Sequence, residues 1–482
     1  MASIKTLAKD TAIYGLSSIV GRFLNYLLVP LYTHVISAAS GGYGIVTNLY
    51  AYTALILVIL TFGMETTFFR FANKEDEDAS TVFSTSLALV SALSLLFLGA
   101  VVLFATPISQ ALGYTDHPDY LLMMAAVVAL DAIQAIPFCL LRFQKKAMKF
   151  ASLKLLFIVL NIGLNLLYFV VLGHTEVFYV FFLNLVCTFL ITFFFVPELI
   201  HMRFRVDMSL LRRMLSYSWP ILILGIAGIL NQAADKMIFP LVYPDKAQGI
   251  SELAVYGACA KIAMIMAMIT QAFRYAYEPF VFGKAKDKDN RDTYAKAMKY
   301  FIIFTLLAFL VVIAYLDILR FIIPNESYWP GLRVVPIVMA AEIMMGIYFN
   351  LSFWYKLIDK TIYGAWFSAA GCVVLVAVNV LFVPKYSYMA CAWGGVAGYG
   401  TAMVLSYLVG QKKYPINYPL KSIAVYVAIT ALFYVCMNLA NEHLPQLWAL
   451  AVNTVLILMF IAHIVYHDLP LKGLPVVGKY FK

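Results

Sequence analysis

Apolar residues run along this chain in blocks far longer than a soluble helix or strand requires, with short polar segments between them. The stretches 87–105, 155–172, 301–315 and 447–465 are typical. A helix crossing the hydrocarbon core of a bilayer needs about 20 such residues. In lipid every backbone donor and acceptor must be satisfied within the protein, so a block of this length implies a helix. The pattern predicts spans near 9–33, 43–68, 80–106, 119–141, 151–173, 176–199 and 215–241. It continues with 252–281, 297–319, 332–355, 361–383, 387–410, 420–440 and 446–466. The expected fold class is an all-α polytopic membrane protein of about fourteen transmembrane helices.

Lysine and arginine orient the spans. Of the 35 basic residues, 27 fall in the even-numbered connections and the two tails, with clusters at 142–154, 203–213 and 284–299. The odd-numbered connections hold four: Lys246, Arg320, Arg333 and Lys385. Basic residues collect on the cytoplasmic side of membrane proteins, so both termini are expected in the cytoplasm and the span count is even. Fourteen spans preserve the asymmetry, and twelve is the alternative count. Overall composition agrees: 63% of residues are hydrophobic and 12% charged, against about a quarter charged in a soluble domain. The net charge of +10 therefore reflects topology, and nucleic acid is not an expected partner. The six cysteines lie in apolar stretches without a C-x-x-C pair, which indicates neither a disulfide framework nor a zinc site. The N-terminus reads as an uncleaved first span and not as a signal peptide.

Two stretches resemble each other in order and spacing. The first carries Asn25, Pro30-Leu31, Tyr43-Gly44, Glu65 and a basic segment from Arg70; the second carries Asp235, Pro240-Leu241, Tyr256-Gly257, Glu278 and a basic segment from Lys284. Tyr-Gly and Glu are 22 residues apart in both. Six spans separate the copies, so both enter the membrane in the same direction, as the halves of some transporters do. The expected organisation is two six-helix lobes, 1–206 and 207–413, related by a parallel repeat, followed by a two-helix hairpin and cytoplasmic tail at 414–482.

Charged residues inside the spans are costly and usually face a water-filled space or a partner. Four cations lie there: Arg22, Lys236, Lys261 and Arg274. They suggest a cationic lining that binds an anionic substrate such as a lipid pyrophosphate. Two of them also have a structural reading, while Arg22 and Lys261 lack an obvious local partner in the sequence. Arg274 has Glu278 one turn away, and Lys236 is near enough to the outer interface to snorkel. Asp235, Glu65, Asp131, Glu278 and Glu342 are candidates for pairing with these cations or for ion coupling. Ala390, Gly394, Gly398 and Ala402 form a small-residue stripe that is expected to serve close helix packing.

No phosphate-binding G-x-x-x-x-G-K-[ST] loop, H-E-x-x-H or G-x-S-x-G occurs, and the outer connections are short. The sequence therefore offers no catalytic residues and implies no cofactor, which weighs against an enzyme such as a membrane glycan polymerase or ligase.

The opening Ala12-Ile-Tyr-Gly-Leu16, Arg22 and Leu28-Val-Pro-Leu-Tyr-Thr33, followed by Tyr43-Gly44 and Thr61-Phe-Gly-Met-Glu65 with Arg70, resemble bacterial polysaccharide flippases. These, of O-antigen type, belong to the multidrug/oligosaccharidyl-lipid/polysaccharide exporter superfamily. The resemblance extends to span count, repeat and length. It implies alternating access by two lobes and a basic lumen that receives an undecaprenyl-pyrophosphate-linked oligosaccharide. Location in the bacterial cytoplasmic (inner) membrane, contact with membrane lipid and association with other glycan-assembly proteins follow from the same likeness. Arg22 resembles the basic residue of the family's first helix, while Lys261 and Arg274 resemble those of its eighth. Drug exporters of the same superfamily bind cations in acidic cavities, which makes an ion-coupled exporter of cationic compounds the alternative.

Overall fold

A computed structural model describes residues 26–468 apart from 115, 201–204, 284–289 and 359. Helices dominate, and no strand occurs among the described residues. Twelve helices among these residues are long and apolar enough to cross a membrane, and each coincides with a span expected from the hydrophobic pattern. The protein is a multi-pass membrane protein. The first expected span lies mostly outside the described residues. The twelfth is present as a helix over Tyr388–Lys413, 26 residues long. At about 1.5 Å per residue that length also suffices to cross, although its glycines and polar residues lower its hydropathy.

The chain divides into two compact units. The first comprises residues up to Ala258 with Asn325–Tyr328 and Asn379–Tyr388; the second comprises Cys259–Pro324, Trp329–Val378 and Met389 onward. The first unit opens with the short helix α1 (Leu28–Val35). Next come α2 (Gly42–Thr61) and α3 (Met64–Ala72), then α4 (Ala79–Leu103) and α5 (Pro118–Phe143). It continues with α6 (Ala147–Leu166), α7 (Phe178–Phe193), α8 (Met208–Val242) and the first third of α9 (Lys246–Gly283). Helices α2 and α3 form one span broken by Phe62 and Gly63, at φ 51° and 66°. Glycine tolerates that left-handed geometry where other residues are strained. A Cβ on Gly63 would also lie 3.1 Å from the Ile221 side chain and 3.2 Å from the Ser218 carbonyl on α8. The break starts a new helix with Glu65 in its first turn, where the exposed N–H groups favour a carboxylate.

The apolar centre of this unit includes Phe68, Phe83, Ile136, Leu140 and Met214, each at most 2% exposed. Polar side chains tie its helices together in pairs. Asn48 donates to the Lys236 carbonyl at 2.6 Å, Tyr52 to the Met237 carbonyl at 3.0 Å, and Asn184 to Tyr50 Oη at 2.6 Å. Tyr32 donates to Asn165, which itself donates back to the Asn161 carbonyl. In an apolar solvent such bonds contribute about 0.6 kcal/mol each on average, and their value is chiefly in fixing register.

The second unit holds the rest of α9 with α10 (Asn290–Ala314), α11 (Val335–Leu351), the part of α12 (Ile362–Tyr386) up to Val378 and α13 (Tyr388–Lys413) from Met389. The hairpin α14 (Leu420–His443) and α15 (Gln446–His467) completes it. Gly371 on α12 and Gly398 on α13 bring two backbones into contact. A Cβ on Gly371 would lie 2.7 Å from the Gly398 carbonyl oxygen, and one on Gly398 would lie 2.8 Å from that of Gly371. The small-residue stripe is thus used at Gly398 for close packing, as its spacing suggests. The hairpin is anchored to α10 at both ends. Asp468, just past α15, accepts from Lys299 and from Tyr426, while Asn453 donates to the Ala314 carbonyl at 3.2 Å.

Candidate functional site

The candidate residues within the described spans fall in three places. The first is on α8, where Asp235 is 7% exposed and accepts from its neighbour Lys236 at 3.0 Å and from Tyr256 Oη at 2.7 Å. Lys236 also lies 5.6 Å from the Tyr256 ring centre. The structure therefore joins two sequence-derived candidates to each other. The pair sits beside the Asn48 bond to the Lys236 backbone, and Tyr114 donates to Asn48 in turn.

The second place is on α9 and α11 in the second unit. Lys261, Arg274 and Glu342 are half-buried. Arg274 lies with its guanidinium 4.7 Å from the Phe349 ring centre, and a Cβ on Gly346 would lie 3.0 Å from Thr270. These two contacts place residue 346 level with 270 and residue 349 level with 274. On that register Glu342 stands level with about residue 266, between the two cations of α9. Lys261 and Arg274 are about 20 Å apart along the axis. Among the described side chains, two cations and one carboxylate stand along this stretch.

The third place is in the first unit, at the basic ends of α3, α5 and α6. Glu65 lies within electrostatic reach of Lys154 and Arg142, and Lys154 within reach of both Glu65 and Asp131. Tyr50 on α2 lies within electrostatic reach of Asp131, and its hydroxyl accepts from Asn184. Aromatic faces seat the cations: Lys154 Nζ is 4.0 Å from the Phe138 ring centre and Arg142 Cζ 5.0 Å from that of Phe69. Such contacts fix a cation's position for roughly 0.5–2 kcal/mol. Pro137, within α5 between Asp131 and Arg142, removes one backbone donor from that helix. Glu65, Lys154 and Arg142 are exposed and Asp131 is half-buried. Ionised groups inside a span are costly in lipid and usually face a partner or water.

Of the residues singled out from sequence, the structure thus joins Asp235 to Lys236; Glu65 and Asp131 share Lys154 as a neighbour, while Lys261 and Arg274 stay about 20 Å apart along α9. Arg22 lies outside the described residues, as does the side chain of Glu278. Sequence reasoning missed Lys154 and Arg142, which count there as flanking basic residues. Lys154 lies seven residues past the start of α6, about 10 Å into the helix. The run Leu153-Lys-Leu-Leu-Phe157 was the available signal, because a lone lysine among apolar neighbours on both sides is inside a span and not at its margin.

A family model described as polysaccharide biosynthesis protein matches residues 7–276. No curated protein matches the chain in a sequence comparison. Among solved structures, the lipid II flippase MurJ in an inward closed conformation superposes with a TM-score of 0.73 and 15% identity, over 94% of this chain and 99% of that one. An inward-facing multidrug resistance transporter of the MATE family, in the MOP superfamily, gives 0.66 at 14% identity over 87% and 99%. A MOP-superfamily transporter from Pyrococcus furiosus, described by the reverse polarity of its binding pocket, gives 0.57 at 13% over 84% and 95%. At these identities the likeness establishes the shared helical fold. The match to the family model covers more than half of the chain, which belongs to the polysaccharide biosynthesis protein family.

Proposed function

We propose that this protein is a flippase that carries an undecaprenyl-pyrophosphate-linked oligosaccharide across the bacterial cytoplasmic membrane for surface polysaccharide assembly. The observation that carries the reading is the pair Lys261 and Arg274 within one membrane helix, with one carboxylate level between them. Cations at two depths of the membrane suit successive contacts with a diphosphate headgroup as it crosses, since its acceptor oxygens bind charged donors. Arg22 and Lys236 are further candidate contacts for the cargo. Membership in a polysaccharide family supports a glycan cargo. Alternating access in this reading is a rocking of the two six-helix repeats, 1–206 and 207–413, with the hairpin at 414–482 contacting lipid. Both termini face the cytoplasm, and other glycan-assembly proteins supply and consume the cargo. Ion coupling in the same reading falls to Asp235, Glu65, Asp131, Glu278 or Glu342.

The carboxylates Glu65, Asp131 and Glu342 favour a second reading, an ion-coupled exporter of cationic compounds. Deletion of the gene in its native host separates the two. Loss of surface glycan, cytoplasmic accumulation of lipid-linked oligosaccharide, and failure of Lys261→Ala to restore export at normal membrane levels support the flippase. Unchanged glycan with raised sensitivity to cationic toxins supports the exporter.

A further inference from the structure

Aromatic rings collect at one end of the first unit, in the connections that precede α5 and α7. Neither connection holds lysine or arginine, which is the mark of the outer side. In the first, His117 lies flat on Tyr120, with ring centres 4.4 Å apart and planes 4° from parallel. Its Nδ1 stands 3.6 Å from the Asp119 carboxylate. Tyr120 is buried, while 49% of the His117 side chain is exposed, so the far face of the imidazole is open. In the second, His174 lies 4.4 Å from Tyr179 and 5.6 Å from Tyr168, and those two rings are 5.0 Å apart. All three are half-buried, so this stack also reaches the surface. Tyr168 sits in a wide turn over Leu167–Val171, closed by the Leu172 N–H donating to the Leu167 carbonyl at 2.9 Å. Such π-type turns recur at functional sites. The His174 N–H donates to the Tyr168 carbonyl at 3.0 Å and ties the connection back to that turn. Phe181, 5.2 Å from Tyr120 and two residues past Tyr179 on α7, links the two sets.

We propose that these stacked rings form a carbohydrate-binding surface at the outer rim of the first unit, on which the glycan of the cargo settles as it leaves the membrane. This rests on the reading of the chain as a flippase of lipid-linked oligosaccharide. One face of a pyranose ring is a set of slightly positive C–H bonds, and the face of an aromatic ring is apolar and slightly negative, so the two stack. The sugar hydroxyls, at the ring edge, need acceptors. Asp116, Asp119 and Glu176, exposed or half-buried in the same two connections, supply carboxylate oxygens that accept from them. A tyrosine that only anchors a helix at the membrane interface needs neither a second ring nor a histidine from a polar connection. Here each set stacks upon itself and contains one. Three carboxylates with no lysine or arginine beside them also repel a diphosphate, since like charges across an interface are unfavourable. The surface therefore selects the sugars over their anionic linkage, which suits the side of the membrane where cargo is released.

The test uses the full chain in lipid nanodiscs. The probe is the oligosaccharide released by mild acid from the host's own lipid carrier, and the readout is saturation-transfer NMR from the protein's aromatic protons to the sugar C–H protons. Wild type is expected to bind and to transfer saturation. His117→Ala and His174→Ala are each expected to weaken binding about threefold, the effect of losing one ring contact. His117→Phe, which keeps a flat face in place of the exposed imidazole, is expected to restore it. Trp448→Ala, which removes an exposed aromatic at the start of α15, is expected to leave binding unchanged. Equal binding by wild type and both alanine variants overturns the surface, as does an equal loss in Trp448→Ala or a failure of His117→Phe to recover. A wild type that binds no oligosaccharide, in a host whose surface glycan depends on the gene, overturns the surface alone. Surface glycan that survives deletion of the gene overturns the flippase reading on which it rests.

Discussion

Asp207 caps α8 by accepting from the Ser209 and Leu210 backbone N–H groups at 2.8 and 3.1 Å. Those bonds, first that of Leu210, with help from Arg213 and Arg205, hold its carboxyl below the usual aspartate value. Asp78 caps α4 in the same way through Thr81 and is likewise lowered. A depressed carboxyl stabilises the folded state above its unfolded value and loses that contribution as pH falls through the folded value. Thermal stability in detergent is therefore expected to decline below about pH 4. Asp207→Asn retains a good cap and is expected to flatten part of that decline, whereas Asp207→Ala lowers the unfolding midpoint at neutral pH as well. A midpoint series across acidic and neutral pH for the three proteins distinguishes charge from capping. Within the candidate site, the identity of each charged residue is evident from sequence, but its partner is not. Nothing local to Lys154 announces that Asp131, 23 positions earlier, and Glu65 on a third helix are the groups it meets.

Single helices show where close approach constrains the chain. Gly63 combines a left-handed backbone with contact against α8. Gly63→Val is expected to cost about 1–2 kcal/mol from backbone strain alone and to misplace Glu65, lowering transport more than protein level. Gly398→Leu inserts a side chain where backbone oxygen already lies within 3 Å of a Cβ. A loss of about 1–3 kcal/mol, read as a lower unfolding midpoint of the purified protein, is the expected outcome. The lengths of these helices were legible as hydrophobic blocks, since crossing a bilayer demands a minimum number of apolar residues. The break at Phe62–Gly63 was not, because the hydrophobic block runs through it without interruption.

Across the whole molecule, the charge asymmetry and the terminal hairpin each make a prediction. Fusions of a reporter active only in the cytoplasm to the N-terminus and to the C-terminus are both expected to be active; an inactive C-terminal fusion implies an odd number of spans. Lys299→Ala removes the charged donor to Asp468 and is expected to cost about 1–3 kcal/mol. Hairpin loosening appears as faster proteolysis after α15. The sequence by itself determined the membrane class, the span positions and the sidedness expected of the connections. Each depends on residues adjacent along the chain, their transfer to lipid and their count of positive charge. Tertiary structure decided which charges meet, because partners on different helices are set by packing and register and leave no mark in local hydropathy. That is why Asp235 and Lys236, neighbours in sequence, were identified together, while the Glu65, Asp131, Lys154 and Arg142 group emerged only when three helices were placed side by side.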